Sequence, residues 1–241
     1  MNSINELNIS IKEKVDKHKR FSSEQLKLAA LMFMILDHLG YKLGDDGDLL
    51  RAIGRLSFPI FAFLISEGFR HTSNRNKYLI RMFIFALISE IPFNLLLNDS
   101  VFYADRQNVM FTYVLGLIML MAIETIRIRI VDFSLEALAE GGVVMLTCAA
   151  SGIIQTDYYV VGIIMIWIFY RWADDYICEI VLLIILFLMQ LELTGILSII
   201  LILLYNGKLS NGLRSHGQAV LIKYLFYIAY PLHMLLLAVL I

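Results

Sequence analysis

Uncharged apolar runs follow one another along almost the whole chain, and they constrain its fold more than any other feature. Three of them are Val114 to Ile123, Ile180 to Met189 and Ile196 to Leu204. Hydrophobic residues make up 59% of the 241 residues and charged residues 17%. That leaves too little polar surface to cover a water-soluble protein of this size. The sequence therefore predicts an all-α, polytopic transmembrane helical bundle.

Polar breaks divide the apolar sequence into about nine predicted membrane segments. A charged, amphipathic arm (residues 1–25) precedes them and lacks the features of a signal peptide. Residues 26–241 form a single predicted transmembrane domain. The fifth to eighth segments are shorter than the ~20 residues of a full crossing, so half-helices are expected, with 155–157 and 190–192 as buried turns. The segments are 26–43, 49–68, 78–97, 109–126, 139–156, 158–172, 177–191, 193–206 and 222–241.

Lysine and arginine are concentrated in every second connection between these segments. The connection after the second segment is strongly basic, whereas residues 45–48, before it, include three aspartates. The positive-inside rule therefore predicts a cytoplasmic N-terminus and an external C-terminus. Cys148 and Cys178 lie in or beside apolar runs, which favours small core residues over a disulfide or a metal site.

Ionisable side chains inside the apolar segments mark the candidate site, because they are costly in hydrocarbon and usually face a cavity or a partner. Asp37 and His38 lie side by side near the end of the first segment. Arg51 and Arg55 begin the second segment one helical turn apart, so that two guanidinium groups can bind an anion together. The predicted topology places these groups towards the outer face of the membrane. Other polar residues on that side are Ser89, Glu90, Asn94, Asp157, Tyr158, Tyr230 and His233.

These residues predict a polar chamber that opens outward, although several have simpler explanations. Arg51 can extend to the membrane interface, and Asp37 can be the structural partner of an arginine. His233 fits a buried structural role as well as a site role. His38, Arg55 and Glu90 are harder to explain as interface residues, and together they favour a functional site.

The densest basic run outside the arm follows the second segment. Topology and contact with anionic lipid account for it. The alternative is a functional one, in which these residues form a site that binds the phosphate groups of a cytoplasmic nucleotide-like donor. The run consists of Arg70, His71, Arg75, Lys77 and Arg81.

Stretches along nearly the whole chain resemble the TraX family, whose founding member is the conjugative pilin N-acetylase. The longest matching stretch covers residues 49–96, and its most specific part is RLSFPIFAFLISEGFRHT at residues 55–72. More loosely, ILDH, FPIFAFLISEG and YPLH are similar to short motifs of the membrane acyltransferases that O-acetylate sugars. The other matching stretches are LKLAALMFMILDHLG, NVMFTYVLGL, TDYYVVGIIMIWIFYR and KYLFYIAYPLHMLLLAVL.

The resemblance implies acyl transfer from acetyl-CoA, without a metal, in the cytoplasmic (inner) membrane of a bacterium. In that reading His38 is the general base or, as the lesser alternative, the acyl carrier, and Asp37 or Glu90 orients its ring. Arg55 or Arg51 stabilises the oxyanion. The basic run binds the CoA phosphates, and the other outer polar residues contact the acceptor. The acceptor stays open between a pilin-like protein, a glycan and a lipid, and no nucleic acid is expected.

Two other classes of function are compatible with the sequence. A transporter or channel can use the same buried histidine, arginine and glutamate as a substrate or proton path, and it predicts flux without consumption of a donor. A structural partner in a secretion or conjugation complex predicts neither flux nor turnover. Acetyl-CoA binding and turnover by the purified protein distinguish these classes from an enzyme.

Overall fold

The chain is helical throughout the part that the computed structural model describes, which is residues 2–190, 193–208 and 216–240. These ranges contain no β-strand, so the predicted all-α class is confirmed. The predicted turn residues Leu191 and Glu192 lie outside the described residues. The helices are α1 (Asn2–His18), α2 (Ser23–Leu43), α3 (Asp48–Gly54), α4 (Ser57–His71), α5 (Arg75–Asn98), α6 (Val109–Arg129), α7 (Phe133–Ile154), α8 (Tyr159–Arg171), α9 (Tyr176–Gln190), α10 (Leu197–Leu203) and α11 (His216–Leu240), with short 3-10 helices at Gly44–Gly47 and Leu193–Ile196.

Each predicted apolar segment falls on a helix or on two successive helices. Within the described ranges, five helical stretches are long and apolar enough to cross a membrane by length and composition. This is typical of an integral membrane protein; nine crossings stay a prediction. The 13 residues of α8 extend about 20 Å, less than the ~30 Å of a hydrocarbon core. The five stretches are Ser23–His71, Arg75–Asn98, Val109–Arg129, Phe133–Ile154 and Val220–Leu240.

The second predicted segment is not one continuous helix, which corrects the prediction for residues 49–68. α3 ends at Gly54, and α4 begins at Ser57. At the break, the Leu56 N–H donates at 3.2 Å to the carbonyl three residues earlier, which tightens the turn. Ser57 Oγ donates to the Ala30 carbonyl of α2 at 2.8 Å. The break allows α3 to pack along α2 as a separate helix.

Three glycines bring α3 and the turn before it into direct backbone contact with α2. A Cβ added at Gly40 would lie 2.7 Å from the carbonyl oxygen of Gly47. A Cβ added at Gly54 would lie 2.6 Å from the backbone nitrogen of Asp37. Real Cβ atoms do not approach other atoms so closely, so each position requires glycine. This contact fixes the backbone of α2 at Asp37, immediately before His38.

The chain forms two compact units, residues 1–64 with 172–241 and residues 65–171. In the first unit, α2 begins with a capping box in which Ser22 Oγ accepts from the Gln25 N–H at 3.3 Å. The Gln25 side chain in turn accepts from the Ser22 N–H at 2.9 Å. These two bonds satisfy backbone donors that no helical carbonyl reaches, so the start of α2 is sharply defined.

The last residues of the basic arm contact the rest of the first unit. Lys19 Nζ donates to the Tyr176 hydroxyl at 3.3 Å and contacts Asp16 at 2.7 Å. The Phe21 N–H donates to the Leu204 carbonyl at 3.0 Å. Burial lowers the pKa of Lys19, but its hydrogen bonds to Asp16 and Tyr176 outweigh burial and raise the pKa above its usual value. The bond from Lys19 lowers the pKa of Asp16.

The second unit is a bundle around α6. Gly116 of α6 lies against Ile166 of α8, where an added Cβ would come within 2.6 Å of the Ile166 side chain. The N-cap of α6 is Asn108, whose side chain accepts from the Met110 N–H at 3.0 Å. Asn108 is fully buried. Asn108 therefore lies inside the unit, where its side chain can hydrogen-bond with polar groups of α5.

Candidate functional site

Two histidines from distant parts of the sequence meet in the first unit. His38 Nδ1 of α2 lies 2.7 Å from His233 Nε2 of α11, and the two rings are inclined by only 6°. His233 Nδ1 lies 2.9 Å from the Ala229 carbonyl oxygen. His233 is 7% exposed. A backbone carbonyl, a buried imidazole and the His38 ring therefore form one hydrogen-bonded chain.

The carbonyl at one end of this chain determines where the protons lie. The Ala229 oxygen can only accept, so His233 Nδ1 carries a proton and, in the neutral ring, Nε2 is the acceptor. His38 Nδ1 must then donate to it. In the neutral pair, His38 Nε2 is consequently the unprotonated nitrogen and can act as a base. The hydrogen bond to His233 also stabilises the His38 imidazolium that forms when Nε2 takes a proton.

The ring contacts of His233 continue to Tyr230, which lies one turn earlier on α11. The two ring centroids are 5.8 Å apart at an angle of 60°, and Tyr230 is buried. Pro231 stands between them and has no N–H, so α11 lacks one helical hydrogen bond at this point. Tyr230 and His233, both predicted as cavity residues, therefore lie together beside His38.

Asp37 and Arg55 form a long ion pair next to this histidine pair. Arg55 Nε lies 3.9 Å from Asp37 Oδ1. Arg51 lies one turn before Arg55 on α3, and its guanidinium carbon is 5.8 Å from the centre of the Tyr41 ring. The sequence marked His233 as a candidate site residue, but it did not predict that His233 is the partner of the His38 ring. The first unit thus brings together the predicted residues of α2, α3 and α11.

Glu90 lies in the second unit and is held there by the buried cap of α6. Glu90 Oε2 accepts from Asn108 Nδ2 at 2.5 Å and from the Asn108 N–H at 3.4 Å. Asn108 Nδ2 also donates to the Ala86 carbonyl at 2.9 Å. Asn108 was not predicted as a site residue, and its position at the start of an apolar segment is the signal that marks it as a buried cap.

A polar stripe runs along one face of α5 through Glu90, Asn94 and Asn98, which are spaced four residues apart. Asn94 is 1% exposed, and neither polar atom of its side chain hydrogen-bonds with any described residue. Glu90 Oε1 and Asn98 Nδ2 are buried without such a partner as well. The Asn94 amide interacts with the Glu90 carboxyl, but outside hydrogen-bond geometry. Since each such atom costs roughly 1–3 kcal/mol, this stripe is suited to water or a polar ligand.

Asp157 is paired with an arginine from a connection between segments. Arg106 donates to Asp157 Oδ1 at 2.8 Å, and Thr112 Oγ1 donates to the Asp157 carbonyl. Tyr158, the next residue, has a φ of 63°, which is rare for a residue other than glycine. The predicted turn at 155–157 is present between α7 and α8, with Thr156 fully buried. Its ion pair and hydrogen bonds support a structural role for Asp157.

The basic run after α4 contains both exposed and partly buried residues. Arg75 donates to Glu124 Oε1 at 2.7 Å, and its guanidinium carbon lies 4.7 Å from the centre of the Phe69 ring. Arg81 packs 5.4 Å from the centre of the Tyr78 ring. Arg70, His71 and Lys77 are exposed.

A second carboxylate of this unit is almost fully buried, and the sequence did not reveal it. Glu140 of α7 is 4% exposed. It accepts from Trp167 Nε1 at 2.7 Å and from Arg127 at 3.1 Å, and Arg171 lies 3.7 Å away. These partners come from α6 and α8, so Glu140 joins three helices and is a structural residue.

Comparison with known proteins identifies the family. The model of the TraX protein family matches residues 22–241. The chain belongs to the TraX family. A relative from Dichelobacter nodosus, named "Probable fimbrial assembly protein FimC, serogroup H1", is 36% identical over 112 residues. That match covers 42% of this chain and 46% of the relative, so it spans about half of the relative's length. No solved structure shows a significant match.

The TraX match begins at the N-cap of α2 and runs to the end of the chain. It includes every predicted site residue and leaves out α1. The resemblance seen in the sequence is therefore confirmed at the level of the family. The histidine pair, the α3 contact and the α5 stripe all lie within the TraX region.

Proposed function

We propose that this TraX-family protein is a membrane acyltransferase. It transfers an acetyl group from cytoplasmic acetyl-CoA to an amine or hydroxyl group at the outer face of the inner membrane. The hydrogen-bonded chain from Ala229 through His233 to His38 carries this proposal. A buried imidazole that fixes the tautomer of a second imidazole orients the unprotonated nitrogen of that second ring for general-base catalysis.

His38 Nε2 takes the proton of the acceptor amine or hydroxyl as that group attacks the thioester carbonyl. The carbonyl oxygen becomes a tetrahedral oxyanion, and we assign its stabilisation to the guanidinium of Arg55, with Arg51 as the alternative. The carbon–sulfur bond then breaks, and the CoA thiolate takes the proton from His38 Nε2. The neutral pair is restored, and His233 retains its own proton throughout.

We propose different roles for Asp37 and Glu90, in place of the role of orienting the His38 ring that the resemblance implied for one or the other. Asp37 lies 3.9 Å from Arg55 Nε, which supports a role in positioning that guanidinium. Glu90 belongs to the α5 stripe, and we propose the stripe, with Asn94 at its centre, as a contact for the acceptor. For the CoA phosphates we retain the basic run after α4. Arg75 contributes less to that run, because Glu124 already balances its charge.

The proposal is tested with the purified protein in detergent. Isothermal titration with CoA and release of CoA thiol from acetyl-CoA, with hydroxylamine as a small amine acceptor, measure binding and turnover. His38→Ala is expected to abolish turnover and retain CoA binding, whereas the matched variant His18→Ala, on α1, is expected to behave as wild type. The absence of CoA binding at millimolar concentration contradicts the proposal.

The unpartnered polar atoms of the α5 stripe also favour a second candidate, a transporter with a polar pathway. Four buried polar atoms without a described partner lie along one helix face, as expected of residues that line a hydrated path. Proteoliposomes that carry out flux without acetyl-CoA, and a purified protein that does not turn over acetyl-CoA, would favour the transporter.

A further inference from the structure

Arg51 of α3 is a cation to which the proposed mechanism gives only an alternative role. Its stem lies against α2, where a Cβ added at Gly40 would come within 2.8 Å of Arg51 Cγ. Its guanidinium carbon is 5.8 Å from the centre of the Tyr41 ring, a distance at which a cation is attracted to an aromatic face. Arg51 is nevertheless partly exposed. The guanidinium is thus positioned by α2 and still open to a ligand.

The packing of α3 on α2 brings Arg51 to the level of His38. Gly54 contacts α2 at the backbone of Asp37. Three residues earlier on α3, Arg51 contacts α2 at Gly40. His38 lies between these two levels, and Gly40 is only about 3 Å beyond it along the helix axis. An acceptor whose amine or hydroxyl reaches His38 therefore has Arg51 within one helical turn.

The charges beside His38 do not balance. Asp37 lies 3.9 Å from Arg55 Nε, so one carboxylate faces one of the two arginines of α3. No residue in the described ranges forms an ion pair with Arg51. One positive charge is left for an anion from outside the chain. A guanidinium suits a phosphate or carboxylate, because its planar fork donates two parallel hydrogen bonds to such a group.

We infer that Arg51 binds an anionic group of the acceptor, so that the preferred acceptor carries a phosphate or carboxylate close to its reactive amine or hydroxyl. The inference rests on the proposed function; it narrows the class of acceptor and leaves the oxyanion to Arg55 alone. The transfer step itself is unchanged. The anionic group belongs either to a soluble acceptor or to a lipid headgroup, which share this chemistry.

The spacing of the two arginines sets the length of a suitable acceptor. Side chains four residues apart on a helix are about 6 Å apart. An amine separated from a phosphorus atom by two carbons and an ester oxygen lies about 5 Å from it, at the ~3.6 Å that an extended chain spans per three bonds. Such an acceptor can place its phosphate at Arg51 while its amine lies near Arg55 and His38.

Two acceptors that differ by one phosphate, O-phosphoethanolamine and ethanolamine, test the inference. The ratio of their kcat/KM values is measured with acetyl-CoA and the full-length protein in detergent, with the acetylated product followed by mass spectrometry. Arg51→Met keeps the stem on Gly40 and removes the charge, and it is expected to lower the ratio by ~10- to 100-fold, the range for hydrogen bonds to a charged group. Comparing ratios between proteins cancels the different reactivity of the two amines. Arg51→Lys keeps the charge and is expected to retain more of the preference, and Arg129→Gln, an exposed arginine of α6, is expected to retain the wild-type ratio.

The outcomes separate the inference from its rivals. An equal fall of kcat/KM for both acceptors in an Arg51→Met protein that still binds CoA means that Arg51 stabilises the oxyanion, and the inference is wrong. An unchanged ratio in Arg51→Met overturns the inference alone. Wild type that neither binds CoA nor acetylates either amine or hydroxylamine overturns the proposed function as well.

Liposomes identify the source of the anionic group. The protein is reconstituted into phosphatidylcholine with phosphatidylethanolamine, whose headgroup has the same spacing of amine and phosphate. Acetylation of the lipid that Arg51→Met loses supports the inference with a lipid as the acceptor. A phosphate preference shown only with the soluble pair supports it with a soluble acceptor.

Discussion

Replacing Gly54 with alanine is expected to move α3 away from α2 and to disturb the ion pair beside His38. The added Cβ would lie 2.6 Å from the Asp37 backbone nitrogen, whereas ordinary contacts of a Cβ begin at 3.4 Å. The clash is with backbone, so no rotation of a side chain relieves it. The helices must separate by roughly the missing ångström, and Arg55, the residue after Gly54, moves with α3.

The expected loss of stability is about 1–3 kcal/mol, the range for a methyl group forced into a packed contact. Gly141→Ala provides a matched control of opposite sign. Gly141 lies in α7 with nothing within 4 Å of an added Cβ. Alanine there gains helix propensity and is expected to stabilise the protein by about 0.5–1 kcal/mol.

Thermal unfolding in detergent, followed by tryptophan fluorescence, measures both variants, and acetyl-CoA turnover measures the effect on the site. Gly54→Ala is expected to unfold at a lower temperature and to lose more turnover than CoA binding. Gly141→Ala is expected to unfold at a higher temperature with unchanged turnover. A Gly54→Ala protein with the stability and turnover of wild type would show that α3 does not pack on Asp37 in this way.

Three further variants test other contacts. Glu140→Gln removes the buried carboxylate that Arg127 and Arg171 both contact, while Arg127 keeps Glu136 at 3.5 Å. We expect a loss of about 2 kcal/mol in unfolding free energy, less than for fully buried pairs because the arginines are partly exposed; unchanged stability argues against the network. Asn94→Leu removes a buried amide without a described partner and is expected to raise the unfolding temperature; a lower temperature means the amide is satisfied. Lys19→Met is expected to speed proteolysis of the arm. In wild type the arm should loosen above the raised pKa of Lys19 and below the lowered pKa of Asp16; pH-independent proteolysis contradicts this.

The helices and part of the site could be predicted from local sequence patterns. Apolar runs and polar breaks located the helices, because burial and helix periodicity act over short stretches of chain. His38 and His233 were both identified as unusual, since a histidine in an apolar segment is costly wherever it occurs. Their pairing could not be predicted, because it depends on which helices pack together across 195 residues.

The break between α3 and α4 was also missed, although the sequence contains a signal for it. Gly40 and Gly54 stand on either side of a turn that ends at Gly47, and small residues allow two backbones to approach closely. The ion pairs were missed for another reason. Asp157 pairs with Arg106 and Arg75 with Glu124, and neither pair has a helical spacing that would reveal it. Tertiary packing alone selects such partners.

The turnover number of His233→Leu tests the central claim most directly. Leucine fills the buried site but cannot accept from His38 Nδ1, so the turnover number is expected to fall by ~10²- to 10⁴-fold, the contribution of a general base. His233→Gln supplies an oxygen near the position of Nε2, so its turnover number is expected to be at least about tenfold higher than that of His233→Leu. His38→Ala combined with His233→Leu is expected to be no slower than His38→Ala alone, because the two residues act as one unit. Wild-type turnover in His233→Leu would contradict the account.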